Sequence, residues 1–255
     1  MEFQKVSSIA ARAHGRWYDD ACGAAFAMEL IGERWSLPVI RELMLGGRRF
    51  SDVRASLPGI SAKVLTERLD SLESAGIVTR RTVGAPAPAK LYDLTDWGRG
   101  LERVMQELGR WSVQSPAFDP RLPLTPVSLM LSMRTMLLPD AVGDWRPEVR
   151  FEVGSDHFIG RLTDGELVIA RSGPSGDQAS RPAGGGSAGG GSAGDGEAAP
   201  ALVFRAPTAN GFLPVFYGKR PLGSDGTTLE WEGDKALAER FIALFALPAR
   251  RGAEE

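Results

Sequence analysis

Apolar residues in the first hundred positions recur at helical spacing, in short blocks that glycines punctuate. Over residues 23–31, Ala24, Phe26, Ala27, Met28, Leu30 and Ile31 predict a short apolar helix that Gly32 ends. A second helix is expected over 36–45. Ser36 is its N-cap, Pro38 sits in a first turn that tolerates a missing N–H, and Val39, Ile40, Leu43 and Met44 form the buried stripe. After the Gly46-Gly47-Arg48-Arg49 turn, residues 50–75 (FSDVRASLPGISAKVLTERLDSLESA) read as a short helix, a Pro58-Gly59 turn and a longer helix opening at Ser61. At about 100° per residue, Leu65, Leu69 and Leu72 stack on one side of that longer helix. Lys63, Thr66, Glu67 and Asp70 fall on the other. The pair is either an ordinary helical hairpin with a solvated face or a helix-turn-helix whose second helix enters a DNA major groove.

Beyond the Gly76 helix stop, residues 77–83 (IVTRRTV) read as a strand and 91–94 as its return, joined by the proline-stiffened loop 84–89. A hairpin directly after such a helix pair is a wing, and it favours the DNA reader. Thr95 caps a helix expected over 96–113. There Leu101, Val104, Met105, Leu108 and Trp111 make an apolar stripe, which either packs on its own domain or forms a dimer seam.

Residues 115–125 carry three prolines and no periodicity, as in an extended interdomain linker. A helix over 127–138 then opens a second domain. Strands follow at 148–153, 157–162, 166–171 and 201–205, a helix at 208–217, a strand at 227–231 and a last helix at 235–247. This is an α+β pattern with a mostly antiparallel sheet. Residues 172–199 hold 10 glycines in 28 positions and so can bury almost nothing. They read as a disordered insertion, which loop-closure entropy tolerates. A phosphate-binding glycine loop would need a following Lys-Ser/Thr, and none is present.

Composition changes this picture little. The chain has 255 residues, enough for two domains, with 43% hydrophobic and 24% charged residues, an ordinary soluble globular balance. No apolar run is long enough to span a bilayer, and the first twenty residues carry no apolar signal-peptide core, so a cytoplasmic protein is expected. A single cysteine, Cys22, excludes an internal disulfide framework. His14 and His157 lie far apart, so no metal site is expected. The net charge of −2 hides an asymmetry: residues 41–90 hold 9 basic against 5 acidic side chains. That modest excess supports phosphate contacts without predicting them alone. No nucleophile–base pair or paired carboxylates emerge, so the chain does not read as an enzyme, and no cofactor is expected.

Residues 22–101 resemble an HxlR-type winged helix-turn-helix transcriptional regulator. The likeness lies in the cysteine before the first helix, the IGERW and IRELMLG blocks, RRFSDVRASLPGIS, KVLTERLDSLESAGIV and the YDLTDWGRGL exit from the wing. Pro38 departs from the family's usual aliphatic residue and is expected to alter only the helix start. The resemblance implies a homodimer on a paired, palindromic operator in double-stranded DNA, repressing or activating a nearby gene, with a repressor the expected form. In the second domain the order helix, meander of strands, ALVFRAPTANGFLPVFYGKR and then TLEWEGDKALAERFIALF, with the Trp231-Glu232-Gly233-Asp234 turn into the last helix, resembles the sterol-carrier-protein-like fold, which implies an apolar cavity and a small hydrophobic or aromatic effector.

The domains are then a 1–22 arm, a 23–114 winged helix-turn-helix and dimerisation domain, the 115–125 linker, and a 126–250 ligand-binding domain. For DNA contact the candidates are Ser61, Lys63, Thr66 and Arg68 on the reading helix, with Arg48, Arg49, Arg80, Arg81 and Lys90 holding the backbone. For the four residues on the reading helix, solvated surface is the alternative. Met130, Met133, Met136, Phe212, Phe216 and Tyr217 are the effector-site candidates, although such residues also fill cores. Cys22 reads first as a small buried apolar residue; the family resemblance adds a redox or electrophile switch. The alternative function is a hydrophobic-ligand carrier with a vestigial DNA-binding domain.

Overall fold

The computed structural model describes residues 18, 20–83, 89–172 and 200–252. Most of the expected arm, the wing tip 84–88 and all but the first residue of the glycine-rich insertion 172–199 lie outside the described residues. The chain divides into two compact units at Glu107/Leu108. Among the described residues no helix is long and apolar enough to cross a membrane.

Unit 1 opens with α1 (Gly23–Ile31) and α2 (Ser36–Leu43). Ser36, the expected N-cap, is instead the first residue inside α2 and is buried. The cap is Trp35, held in the left-handed region at φ 78°, with its carbonyl accepting from Val39 N–H at 2.9 Å. A non-glycine residue there costs about 1–2 kcal/mol, which packing of the indole over the Gly59 turn offsets. Pro38 stays inside the first turn, and α2 ends at Leu43, short of the expected 45.

The helix-turn-helix pair is α3 (Phe50–Ser56) and α4 (Ala62–Ser74). Between them Gly59 takes φ 94°, a value that makes glycine the natural residue for the tight turn. Val53, Leu65, Leu69 and Leu72 close against α2 with at most 1% exposure, each burial stabilising by about 1.5–3 kcal/mol.

The wing follows as β1 (Val78–Val83) and β2 (Ala89–Leu94), antiparallel with Val78 opposite Leu94 and Val83 opposite Ala89. Arg48 adds a one-residue bridge to Tyr92, its backbone N–H and carbonyl both bonded at 2.8 Å. The single helix expected over 96–113 divides at Gly100 into α5 (Asp96–Arg99) and α6 (Leu101–Ser112).

Unit 2 begins within α6. The 115–125 segment, expected to be an extended linker, is pinned to this unit. Asn210 accepts from Leu124 N–H (2.9 Å) and donates to the Leu122 carbonyl (3.0 Å). Thr125 caps α7 (Pro126–Met136), which stops two residues before the expected end because Leu137 pairs with Phe245. The strands β3 (Glu148–Val153), β4 (Asp156–Thr163), β5 (Glu166–Ser172), β6 (Leu202–Ala206) and β7 (Glu230–Gly233) form one sheet ordered β5-β4-β3-β6-β7. All neighbours are antiparallel except β3 and β6. β5 and β6, the strands on either side of residues 173–199, do not pair with each other.

A four-residue helix, α8 (Leu213–Phe216), and α9 (Lys235–Ala243) complete the unit. Phe151, Phe204, Phe212, Phe216, Phe241 and Phe245 are all fully buried at its centre. Their closest ring pair, Phe241 with Phe245, stands 5.1 Å apart and edge-on, an arrangement that aromatic quadrupoles favour.

Candidate nucleic-acid interface

The exposed side of α4 carries the expected polar residues at its N-terminal half. Ser61 caps the helix, its hydroxyl accepting from Val64 N–H at 3.2 Å. Lys63 leaves 86% of its side chain in solvent, 3.9 Å from Glu67. Thr66 is exposed and donates to the Ala62 carbonyl at 3.0 Å. Farther along, the acidic groups are occupied. Arg80 of β1 bonds Asp70 and reaches Glu73 at 2.9 Å, with its guanidinium over the Tyr92 ring. One wing arginine thus neutralises two carboxylates that would repel phosphate, and it ties the wing to the helix.

Arg81 is paired as well, with Asp93. Asp93 is 1% exposed, takes a second cation from Arg99 at 2.7 Å and accepts from Leu94 N–H at 2.8 Å. Lys90 on β2 and Arg49 at the N-cap of α3 are exposed. Ser61, Lys63, Thr66, Arg49 and Lys90 therefore present surface, while Arg80 and Arg81 do so only as members of ion pairs.

Two candidates turn inward. Arg48, expected to meet the DNA backbone, keeps 12% of its side chain exposed and donates to Glu42 (2.7 Å) and Ser56 (2.9 Å). Glu42 has no exposed surface, so this cation compensates a buried charge, with Arg41 at 3.0 Å assisting. Arg68, expected at the helix flank, is also 12% exposed and lies 3.6 Å from Glu33 beyond α1. The signal missed in the sequence is Glu42 itself, an acid at a stripe position of α2.

The α6 stripe behaves differently. No residue of α6 is buried; Val104, Leu108 and Trp111 are 47%, 42% and 67% exposed, and Leu101 and Met105 are half-buried. Phe26 and Met28 of the apolar helix α1 are exposed too. Cys22 corrects the first reading of that residue: it is exposed, not buried, at the N-cap of α1. The backbone N–H groups of Ala25 and then Ala24 hold its thiol below the usual cysteine pKa.

The effector-site candidates lie in unit 2 as packed core. Met130, Met133, Phe212 and Phe216 have no exposure and Met136 has 5%. Tyr217 shares a 2.8 Å hydrogen bond with Ser132, and burial pushes its phenol well above the ordinary range. Among the described residues no group of three or more His, Cys, Asp or Glu could hold a metal ion.

Known proteins carry the same pattern over the N-terminal region. The family model described as HxlR-like helix-turn-helix matches residues 30–117. YvaP of Bacillus subtilis, an uncharacterized HTH-type transcriptional regulator, is 36% identical over 95 residues, 36% of this chain and 87% of that protein. The HTH-type transcriptional regulator YodB of the same organism is 39% identical over 88 residues, 34% of this chain and 79% of YodB. Its solved reduced form is 35% identical, covering 38% of this chain and 97% of that one with a TM-score of 0.36. A quinone-bound form is 38% identical over 36% and 96%, with a TM-score of 0.32. Sequence identity that runs through most of these regulators' length, on a reading helix and wing built as described, makes this chain a member of the HxlR-like helix-turn-helix family of transcriptional regulators.

Proposed function

We propose that the protein is a repressor that binds a palindromic operator as a homodimer, with α4 in the major groove and the wing along the backbone. The observation that carries this is the exposed N-terminal half of α4. There Ser61, Lys63 and Thr66 face solvent while the acids behind them are held by Arg80. The unburied α6 stripe supplies a seam of Leu101, Val104, Met105, Leu108 and Trp111, and paired half-sites about 34 Å apart require such a seam. Unit 2 senses a small hydrophobic or aromatic effector, a role that the packed residues 130–136 and 212–217 serve only by yielding space. An electrophoretic shift against the DNA upstream of the gene tests the proposal. Specific binding with a steep loss in salt is expected. No specific binding, together with tight uptake of an apolar ligand, would favour the carrier.

A second reading is favoured by Cys22. Its exposure and lowered pKa suit attack on an electrophile, and YodB has been solved bound to quinone. The thiolate would add to the quinone ring, the sulfur donating the electron pair and the quinone taking up a proton to give a thioether. Operator binding by Cys22→Ser that still responds to quinone would refute the switch.

A further inference from the structure

Unit 2 has a groove of about 230 Å³ between the 219–222 loop and α9, lined by none of the methionines and phenylalanines considered above. Its walls are Val215, Leu222 and Ile242, all buried at 7% or less. Lys219 and Arg220 bring two cations to it, and Glu239 one acid, already 3.8 Å from Lys235. Lys219 is held in place. Its backbone sits in the left-handed region at φ 54°, and its ammonium donates to the carbonyls of Ile242 (3.0 Å) and Phe245 at the end of α9. Two of its three N–H bonds are thereby used, leaving one donor. Burial lowers its pKa, and an anion beside it would offset that.

We infer that this groove binds a small apolar carboxylate, its ring or branched chain against Val215, Leu222 and Ile242 and its carboxylate on Lys219 and Arg220. Size agrees with this class, since a cavity of about 150 Å³ already accepts benzene. The inference names the ligand class for the effector response proposed above and rests on that response only for its consequence at DNA.

Calorimetric titration of the full-length protein with benzoate, and with benzylamine as the charge-reversed probe, tests it. Saturable benzoate binding with one site per chain and none for benzylamine is expected. Arg220→Gln should weaken benzoate by about tenfold, and Ala243→Trp, at an exposed position on the groove wall, should abolish it with circular dichroism unchanged. Absence of saturable binding, equal binding of benzylamine, or full affinity in Ala243→Trp would overturn the inference. Benzoate bound in the groove without any change in operator affinity would leave the site standing and remove the effector reading.

Discussion

Replacing Arg48 by methionine asks whether that cation serves the interior of unit 1 or the DNA. Glu42 is fully buried, and Arg48 meets it at 2.7 Å while also donating to Ser56 at 2.9 Å. Stripping one partner from a buried pair costs about 3–5 kcal/mol, because the other charge stays desolvated. Arg41 remains 3.0 Å from the second carboxylate oxygen, with 27% of its side chain exposed. That residual partner puts the expected loss at the lower end, about 3 kcal/mol. Amide hydrogen exchange reads unit 1 separately from unit 2, and the amides of α2 and α3 should exchange about 150-fold faster. Adding Glu42→Leu should restore most of the protection, since an apolar pair of similar volume is nearly neutral. The reasoning fails if protection is unchanged while operator affinity drops and its salt slope shrinks by about one, the signature of a lost phosphate contact.

Lys63→Ala should weaken operator binding by about 1–3 kcal/mol if the side chain reads a base, and a fixed-salt titration with unchanged affinity would remove it from the reading set. Leu108→Asp should shift the protein from dimer to monomer in analytical ultracentrifugation; a stable dimer would place the seam elsewhere. Gly98→Ala should lower the midpoint of unit 1 unfolding, with a cost of about 1–3 kcal/mol. The new methyl would collide with the Ile77 carbonyl oxygen, so a neutral effect would mean that the start of the wing yields freely. Alkylation of Cys22 should rise with pH through a midpoint below that of an unshifted thiol, as a depressed pKa exposes thiolate earlier; an ordinary midpoint would argue against the electrophile reading.

Much of the fold was legible because helix caps and apolar spacing are local. Ser61 opens α4 and Thr95 caps α5 as expected, and the strand 148–153 begins and ends where alternation put it. Local signals failed where a distant partner intervened. Ser36 looked like a cap until Trp35, packed over Gly59, took the left-handed position instead. The last helix stops at Ala243, before the expected 247, because the chain there turns to pair Phe245 with Leu137.

The candidate site divides in the same way. Two-faced periodicity was enough to put Lys63 and Thr66 opposite Leu65, Leu69 and Leu72, because that relation is internal to one helix. Which arginines face outward was a tertiary decision. Long cationic side chains can reach water or a buried acid equally well, and only the placement of Glu42, Glu33 and Asp93 sent Arg48, Arg68 and Arg81 to carboxylates. Burial of the methionines and phenylalanines of unit 2 was decided there too. An apolar residue has the same pattern whether it lines a cavity or fills one, and the difference lies in the elements packed against it.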